Sequence, residues 1–419
     1  MNPMAQVQVR DTSVTEGAGR SQASAARRPL HAALLTGGQD PHYVYGLATA
    51  LVRENVALEV IGSDAEDCPV MKDIPKLRFL QLYGRHLTGN AVQRIGRVLL
   101  VYARLIGYGL SAKPRLFHIL WNYKLAVFDR TLLMLLFKLR GRKVVLTAHN
   151  VNAGRRDGRD TLLNRLTLRM QYRLADHTFV HTEKMKTELR EQFGISAGAV
   201  TVIPYGMNNA VPNAERTTAE ARRLLELKND DKVVLFFGAI KPYKGLEYLV
   251  AAFQQQAATR DEWRLIIAGE RKKGSEEYLE RIDQAIDAHP TRNQIIRKIE
   301  FIPDDDIEIY CKAADVLVLP YTEIFQSGIL FLAYTFGLPV IASDVGSFRK
   351  DVVEGKTGFI CRPRDSADLA DALAKYFDSA IFKELSYHRC EIRDWLGATH
   401  SWDSVAKITS NVYSSLIAV

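Results

Sequence analysis

The sequence predicts an α/β protein made of two doubly wound domains with parallel sheets. Short apolar runs, typical of buried parallel strands, alternate with amphipathic helical patterns from about residue 30 onward. The same order of strand, loop, helix and strand begins again near Val233, after a polar segment. No repeat of roughly 20 to 50 residues occurs, which excludes a solenoid.

The first half shows this alternation in full. Helix 42–54 follows a glycine turn at Gly37 and Gly38 and keeps apolar residues on one face. The polar, basic segment 152–159 is expected to be a loop. Strands are predicted at 31–36, 58–61, 78–82, 116–120, 144–147, 177–181 and 200–203, and helices at 42–54, 90–111, 127–139, 162–174 and 183–193.

The second half repeats the pattern with shorter loops. A lysine-containing loop follows its first strand, and a polar loop follows the strand that ends at Pro320. Strands are predicted at 233–237, 263–268, 299–302, 316–319 and 339–342, with a short one after Thr357, and helices at 246–255, 276–288, 304–314, 329–336 and 366–378.

The domain organisation follows from composition. Residues 1–28 are rich in Ser, Ala, Gly and Arg and lack hydrophobic periodicity, so we expect a disordered tail. A domain at 29–206 and another at 232–395 are joined by a charged segment at 207–231, which reads as a linker. Residues 396–419 are treated as a separate C-terminal segment.

Composition limits the class of partner. The net charge is +8 and the pI about 9.1, a mild basic excess that suits a nucleotide, a phospholipid surface or a nucleic acid. Basic stretches interleaved with aromatic residues are absent, so we expect no nucleic acid. The four cysteines are scattered and form no CxxC pair, which favours reduced thiols. No apolar run reaches the ~20 residues of a membrane span, and we expect a cytoplasmic protein.

Two helices of the first half combine apolar stripes with basic residues. Helix 90–111 carries Arg94, Arg97 and Arg104, and helix 127–139 ends in a basic cluster. Basic residues at a helix end complement the helix dipole, which is a purely structural explanation. The alternative is a surface that faces anionic lipid, on the inner face of the plasma membrane. Both interpretations remain open at this point.

Two loops of the second half suit a phosphate group. Gly238-x-x-Lys241-x-x-Lys244-Gly245 lies between a strand and a helix, where two lysines and the helix dipole can meet a diphosphate. Ser327 and Gly328 lie at a helix start, at the carboxyl end of a parallel strand. An exposed basic turn is the alternative for the first loop, and an unliganded core unit for the second.

Three further features are weaker. His149 and Asn150 follow a predicted strand directly, where α/β proteins often place chemistry. The three acids at 304–306 are explained by helix capping better than by a metal site. No Walker A loop, dinucleotide fingerprint, G-x-S-x-G or H-E-x-x-H motif is present.

Taken together, these stretches resemble the retaining glycosyltransferases of family 4, which have the GT-B fold of two Rossmann-like domains facing a central cleft. The resemblance covers nearly all of residues 30–419. It rests on the ordered motifs FFGAIKPYKGLEYLVAAF, WRLIIAGE, IEFIPDDDIEIYCKAADVLVLPY, QSGILFLAYTFGLPVIASDVGSF and EGKTGFICRPRD. It implies that the second domain binds a nucleotide-sugar donor, that the first binds the acceptor, and that the C-terminal helix crosses back to the first domain.

The resemblance also implies site residues. Lys244 matches the lysine that holds the donor diphosphate, Lys241 would supply a second charge where the family's arginine is replaced by Ala239, and His149 resembles the histidine near the transferred sugar. The family's two glutamates would fall at Ile324 and Leu332, so this chain resembles a branch with Gln-Ser-Gly in that loop. The implied catalytic residues are His149, Lys241 and Lys244, and the implied donor-binding residues are Gly37, Gly38, Gly238, Glu270, Gln326, Ser327, Gly328 and Ile329.

The implied reaction is transfer of a hexose, with retention, from a UDP- or GDP-linked donor to a saccharide or polyprenyl-linked saccharide, in surface polysaccharide or glycolipid assembly. No metal and no other cofactor is expected. The missing glutamates keep two alternatives open: a non-catalytic protein that binds a nucleotide-sugar or a partner, and a GT-B nucleotide-sugar epimerase.

Overall fold

A computed structural model describes residues 30–64, 71, 73–84, 90–208 and 211–418. The tail expected at residues 1–28 lies outside them. Among the described residues, the strands form two separate sheets in which every paired strand runs parallel to its neighbour. This confirms the predicted two-domain, doubly wound α/β fold.

The first sheet has the strand order β3-β2-β1-β4-β5-β6-β7. Its order reverses between β1 and β4, where Leu35 pairs with Ile61 on one side and Ile119 on the other. Ligands bind at such a reversal, beyond the carboxyl ends of the strands. The strands are β1 (Leu30–Leu35), β2 (Val56–Gly62), β3 (Leu77–Gln81), β4 (Leu116–Ile119), β5 (Lys143–Thr147), β6 (His177–Val180) and β7 (Val200–Val202).

The second sheet has the order β10-β9-β8-β11-β12-β13, with its reversal between β8 and β11. The strand predicted at 299–302 is displaced toward the N-terminus, because Ile295 rather than Ile299 pairs with Leu265 of the neighbouring strand. The strands are β8 (Lys232–Phe237), β9 (Trp263–Ala268), β10 (Ile295–Lys298), β11 (Val316–Leu319), β12 (Val340–Ser343) and β13 (Gly358–Cys361).

The helices follow the predicted pattern closely. In the first domain they are α1 (Pro41–Arg53), α2 (Ala91–Ser111), α3 (Ala126–Phe128), α4 (Met134–Leu139), α5 (Ala153–Arg156), α6 (Leu162–Leu174) and α7 (Glu183–Phe193), with a π-helical turn at Asp129–Leu133 between α3 and α4. They continue as α8 (Thr218–Leu224), α9 (Leu246–Ala257), α10 (Glu276–Asp287), α11 (Asp304–Ala313), α12 (Gly328–Thr335), α13 (Phe348–Asp351), α14 (Ser366–Asp378), α15 (Ala380–Lys383), α16 (Leu385–Thr399) and α17 (Trp402–Ile417).

Two segments differ from expectation. The loop predicted at 152–159 contains helix α5. The segment 207–231, expected to be a linker, contains α8, which packs against α11 of the second domain. Arg222 of α8 forms a buried ion pair with Asp315 at 2.9 Å, and Ala221 is fully buried. The segment reads as polar because its apolar residues are few, but Val211, Ala221 and Leu227 pack into the second-domain core, so most of it belongs to that domain.

Helices cover both faces of the first sheet. On one face α2, the α3–α4 stretch, α6 and α7 contribute buried apolar residues to a single core. On the other face α1 packs with α17, which comes from the far end of the chain. Trp402 of α17 donates from Nε1 to the carbonyl of Met207 at 2.7 Å, so the last helix is anchored on the first domain.

The described residues include no helix that is both long and apolar enough to cross a membrane. Cys311 and Cys361 are buried free thiols, while Cys390 is exposed. Burial raises the pKa of each buried thiol to about 12.

Candidate active site

The loops after β8 and β9 are pressed together at the reversal of the second sheet. Gly238 has φ +99°, and a Cβ atom on Gly269 would overlap the Gly238 carbonyl oxygen. Only glycine readily adopts the positive φ found at position 238, and only glycine leaves room for the close backbone contact at position 269. The crowding fixes the loop that leads to Lys244 in one position.

Lys244 is buried, with only 6% of its surface exposed. Its Nζ lies 5.3 Å from the ring centroid of Tyr321, and the described residues provide it with neither a hydrogen bond nor an ion pair. Burial lowers its pKa to about 8. A Cβ atom on Gly238 would come within 3.3 Å of this Nζ. A buried cation without a counter-ion is costly, and an anion bound beside it would offset that cost.

The N-terminus of α12 lies beside this cation. Ser327 is buried at the capping position, yet its side chain does not cap the helix. The Ile329 side chain would lie 3.2 Å from a Cβ atom on Gly238, so Lys244, Gly238 and Ile329 lie together. Gly328 and Ile329 also line the cleft between the domains. The helix dipole and the first backbone N–H groups of α12 therefore add to the positive potential around Lys244.

The other predicted donor residues are more scattered. Glu270 is half-exposed and ion-paired with Lys272. Gln326 donates from Nε2 to Asp351 at 3.4 Å, while its Oε1 is buried and has no partner among the described residues. Lys241 Nζ lies 5.9 Å from the Tyr243 ring centroid. The structure thus places the start of α12 at Ser327, Gly328 and Ile329 beside Lys244, whereas Glu270 is engaged by Lys272 and Lys241 lies near the Tyr243 ring.

Apolar side chains stand where the resemblance expects the two glutamates. Leu332 is 5% exposed and lines the cleft, and Ile324 packs against the second-domain core. Phe237 and Ile307 line the same cavity, whose volume is about 330 Å³. The second-domain wall of this cavity can therefore bury a flat, largely apolar group, while the Asp40 carboxylate lines the cavity from the first domain.

The glycine loop of the first domain lies at the reversal of the first sheet. Gly37 has φ +64°, and a Cβ atom there would approach the Trp121 carbonyl oxygen to 2.7 Å. The Gly38 N–H donates to Thr36 Oγ1 at 3.2 Å. Beyond them Asp40 caps α1 and accepts a hydrogen bond from Tyr205 Oη at 3.2 Å.

His149 lies just beyond the end of β5, which is separated from β1 by β4 in the sheet. Its ring stacks on Trp121 with a centroid distance of 4.0 Å and an interplanar angle of 2°, and it meets the edge of Tyr43. It lines a cavity of about 160 Å³ in the first domain, together with Asn122, Arg130 and Gln171. Tyr43 lines the cleft between the domains, so the contact between His149 and Tyr43 lies between the two cavities.

The hydrogen bonds around His149 define its tautomer. His181 Nδ1 lies 3.3 Å from the Ile203 carbonyl, which can only accept, so this nitrogen carries the proton. His181 Nε2 then accepts from His149 Nδ1 at 3.1 Å. Burial lowers the pKa of His181 to about 4 and that of His149 well below 6.5, so both rings are neutral. His149 Nε2 is left as a buried acceptor with no partner among the described residues.

Contacts across the cleft were not foreseen from the sequence. His42 Nε2 lies 3.3 Å from Asp304 Oδ2 on the other domain, and Arg156 packs 4.6 Å from the Tyr243 ring centroid. The hydrogen bond with Asp304 raises the pKa of His42, and the same bond lowers that of Asp304. Pairs joined only by tertiary structure leave no local sequence signal. No group of three or more His, Cys, Asp or Glu within the described part of the chain could hold a metal ion.

Comparisons with known proteins agree with this architecture. Residues 41–210 match the family model described as Glycosyltransferase Family 4, and residues 217–390 match the one described as Glycosyl transferases group 1. The chain is 28% identical over 261 residues to a D-inositol 3-phosphate glycosyltransferase of Corynebacterium urealyticum, covering 58% of this chain and 57% of that protein. The match thus spans less than two thirds of the relative's length.

Two solved structures share the two-domain GT-B fold. Sucrose-phosphate synthase of Thermosynechococcus elongatus superimposes with a TM-score of 0.72 at 21% identity, over 93% of this chain and 99% of that one. HepE of Anabaena, in complex with UDP-glucose, gives a TM-score of 0.72 at 16% identity, over 92% and 100% of the two chains. With each half matched by a family model, the chain belongs to glycosyltransferase family 4.

Proposed function

We propose that the protein is a retaining glycosyltransferase. It transfers a hexose from a UDP- or GDP-linked donor to a hydroxyl of a saccharide or lipid-linked saccharide, in surface polysaccharide or glycolipid assembly. The observation that supports this most directly is the buried Lys244, which has no counter-ion among the described residues and lies beside the N-terminus of α12. A donor diphosphate matches that site in charge. The UDP-glucose bound to the structural neighbour HepE makes UDP-sugars the first candidates.

In the proposed reaction the bond between the anomeric carbon and the diphosphate oxygen breaks as the acceptor oxygen approaches the same face of the sugar. The acceptor proton passes to the departing phosphate oxygen. Negative charge grows on that phosphate, and Lys244 and the N–H groups of α12 stabilise it. These groups are already in place before the reaction, so the proposal requires no metal or other cofactor.

His149 is assigned to the sugar. Its unprotonated Nε2 can accept a hydrogen bond from a hydroxyl of the donor or acceptor sugar, and its fixed tautomer prevents it from donating one. Gly37 and Gly38 place backbone atoms close to the same region. Asn122, Arg130 and Gln171, which share the cavity with His149, are the polar groups proposed for the acceptor.

The nucleoside is assigned to the cleft lined by Phe237, Ile307 and Leu332. With leucine at the position of the second glutamate, ribose recognition falls to backbone groups. Gln326 Oε1, buried without a partner among the described residues, is available to a sugar or ribose hydroxyl.

The test combines donor binding with turnover. A panel of UDP-, GDP- and dTDP-sugars is screened by thermal unfolding, because a donor that binds only the native state raises the melting temperature. Release of nucleoside diphosphate is then followed with and without a saccharide acceptor. Lys244→Ala is expected to lower release by ~10²–10³-fold. Lys383→Ala, an exposed lysine at the end of α15, is the matched control.

Each rival has its own signature in this experiment. A donor that stabilises the protein but is never consumed identifies a non-catalytic binding protein. Isomerised sugar in the absence of an acceptor identifies an epimerase. Undiminished single-turnover transfer by Lys244→Ala would refute the role given to Lys244.

A further inference from the structure

Three neighbouring helices of the first domain present an apolar face to solvent. Helix α2 packs against α4, and α4 packs against α6, so the three form one layer over the sheet. Among the described residues, fourteen of the seventeen large apolar side chains that are exposed lie between Val92 and Met170, in or next to these helices. Exposed apolar residues scattered singly need no explanation, but a concentration on one layer does.

Helix α2 shows how this face arises. Its buried stripe includes Val101 and Leu105, which contribute to the core. A second stripe, spaced by three and four residues, includes Val92, Ile95 and Leu99, whose exposures are 78%, 61% and 60%. This second stripe points away from the core and has no role in holding the domain together. Its neighbours supply Leu132 at 59% and Leu163 at 58% exposure.

The charge of the chain is concentrated in the same segment. Residues 90–174 contain seventeen Lys and Arg against three Asp and Glu, whereas the rest of the chain contains 39 against 45. The whole basic excess of the protein therefore comes from the segment that carries the apolar face.

Some of these basic residues stabilise the fold itself. Lys138 pairs with Asp176 at 2.7 Å, and Arg142 donates to the carbonyls of Ala112 and Pro114. These contacts support the interpretation that the basic cluster at the end of α4 serves mainly to stabilise the fold. Arg104 on α2 and Arg173 on α6 are exposed instead, and so is Arg169, although its Nη2 also donates to the Gln192 carbonyl at 3.4 Å.

We propose that the layer formed by α2, α3–α4 and α6 docks on an anionic lipid membrane. Apolar side chains enter the boundary between headgroups and acyl chains, and the exposed arginines meet lipid phosphates. A soluble protein partner would bury the apolar residues equally well, but it gives no reason for the excess of basic over acidic residues that remains exposed. The charge pattern matches a surface that is anionic over a wide area.

The docking surface also bears on the acceptor, and this step rests on the proposed function. Helix α6 exposes Leu163 on one side, while Gln171 and Tyr172 on its other side line the cavity next to His149. Arg130, in the π-helical turn, lines the same cavity. The acceptor cavity thus lies directly behind the docking layer. A saccharide on a lipid carrier can enter it while its lipid stays in the membrane.

Vesicle flotation with the full chain tests the proposal. We expect binding to vesicles of phosphatidylcholine with phosphatidylglycerol, and much weaker binding to phosphatidylcholine alone. Leu99→Ser, Leu132→Ser and Leu163→Ser should each lower the partition coefficient about fivefold. Arg104→Gln, Arg169→Gln and Arg173→Gln should each lower it by a similar factor, and salt should weaken the effect of the charges. Leu224→Ser, on the second domain and 52% exposed, is the matched control and should bind like the parent.

The outcomes separate docking from donor binding. Absence of flotation with anionic vesicles, or equal flotation of parent and leucine variants, overturns the proposal. So does a dimer, seen by sedimentation, that dissociates in the leucine variants, because the layer would then be covered by a second copy. Stabilisation by a nucleotide-sugar should survive in every variant. Its loss in the parent itself would refute the proposed function and leave the docking result standing.

Discussion

Replacing Lys244 with methionine should make the ligand-free protein more stable and abolish its response to the donor. The ammonium group is buried beside Tyr321, and the described residues supply no counter-ion. Methionine has a similar length, adapts to irregular space and carries no charge to desolvate. A side chain that destabilises the ligand-free protein and interacts favourably only with a bound anion is typical of a binding site.

The magnitude follows from the pKa. Burial lowers the pKa of Lys244 from 10.5 to about 8, so its protonated form costs the folded state roughly 3 kcal/mol below pH 8. In the window from about 8 to 10.5 the unfolded chain binds more protons than the folded one, so the parent gains stability as pH rises through it. The advantage of Lys244→Met should therefore be largest at pH 7 and shrink toward pH 10.

Thermal unfolding at pH 7 and pH 9.5, with and without a UDP-sugar, measures both effects. A donor at 100 times its Kd adds about 2.7 kcal/mol to the parent and should add nothing to the variant. Lys383→Met, at an exposed position, controls for loss of a lysine. A variant that is less stable than the parent at pH 7, or that the donor still stabilises, would refute the idea that Lys244 is a strained phosphate-binding cation.

Three more predictions concern other parts of the cleft. His149→Ala should lower the rate of transfer by ~10–100-fold with little change in donor-induced stabilisation, since in the proposed reaction the lost Nε2 contacts the sugar; equal loss of both would assign it to general folding. The pKa of His42 is raised, so its ion pair with Asp304 is intact below pH 6.5 and is lost as pH rises through the raised pKa. Small-angle scattering should therefore show a more open protein at pH 8.5 than at pH 6. The scattering of His42→Gln should not change between these two pH values. At the low-pH end the pair fails as pH falls through the lowered pKa of Asp304. Gly269→Ala should lower the free energy of unfolding by at least ~3 kcal/mol, because the added Cβ would overlap the backbone of Gly238. Gly397 has open space around it, so Gly397→Ala is the control and should melt at or above the temperature of the parent.

The sequence was sufficient for the architecture because the relevant forces are local. Continuous apolar runs specify buried parallel strands, and helices α6 and α7 begin and end where their capping residues Thr161, Thr182 and Gly194 stand. The shifted strand β10 and the helix α8 within the supposed linker show the limit. Near β10 two short apolar runs lie close together in the sequence, and in α8 apolar residues are few, so tertiary pairing, not local preference, selects the register and the helix.

For the candidate site, too, the sequence predicted some features and only the tertiary structure decided others. Lysine, glycine and serine in loops at the ends of strands indicated a phosphate site from the sequence, because a helix N-terminus and a nearby cation attract anions whatever the surrounding fold. Only the tertiary structure showed that Lys244 lacks a counter-ion among the described residues, while Lys241 lies near the Tyr243 ring and Glu270 is ion-paired with Lys272. Burial and charge partners depend on segments that are distant in the chain.

The same holds for His149 and for the outer face of the first domain. The tautomer of His149 depends on a chain of hydrogen bonds through His181 to the Ile203 carbonyl. These three residues follow three different strands, and only folding brings them together. Helix α2 reads from its sequence as amphipathic, but which of its apolar stripes meets the core is decided by the sheet beneath it. The sequence alone determined the fold class and the kind of chemistry, through periodicity and residue type. The tertiary structure decided which groups are buried, paired or left open, because desolvation and hydrogen-bond geometry depend on every neighbour at once.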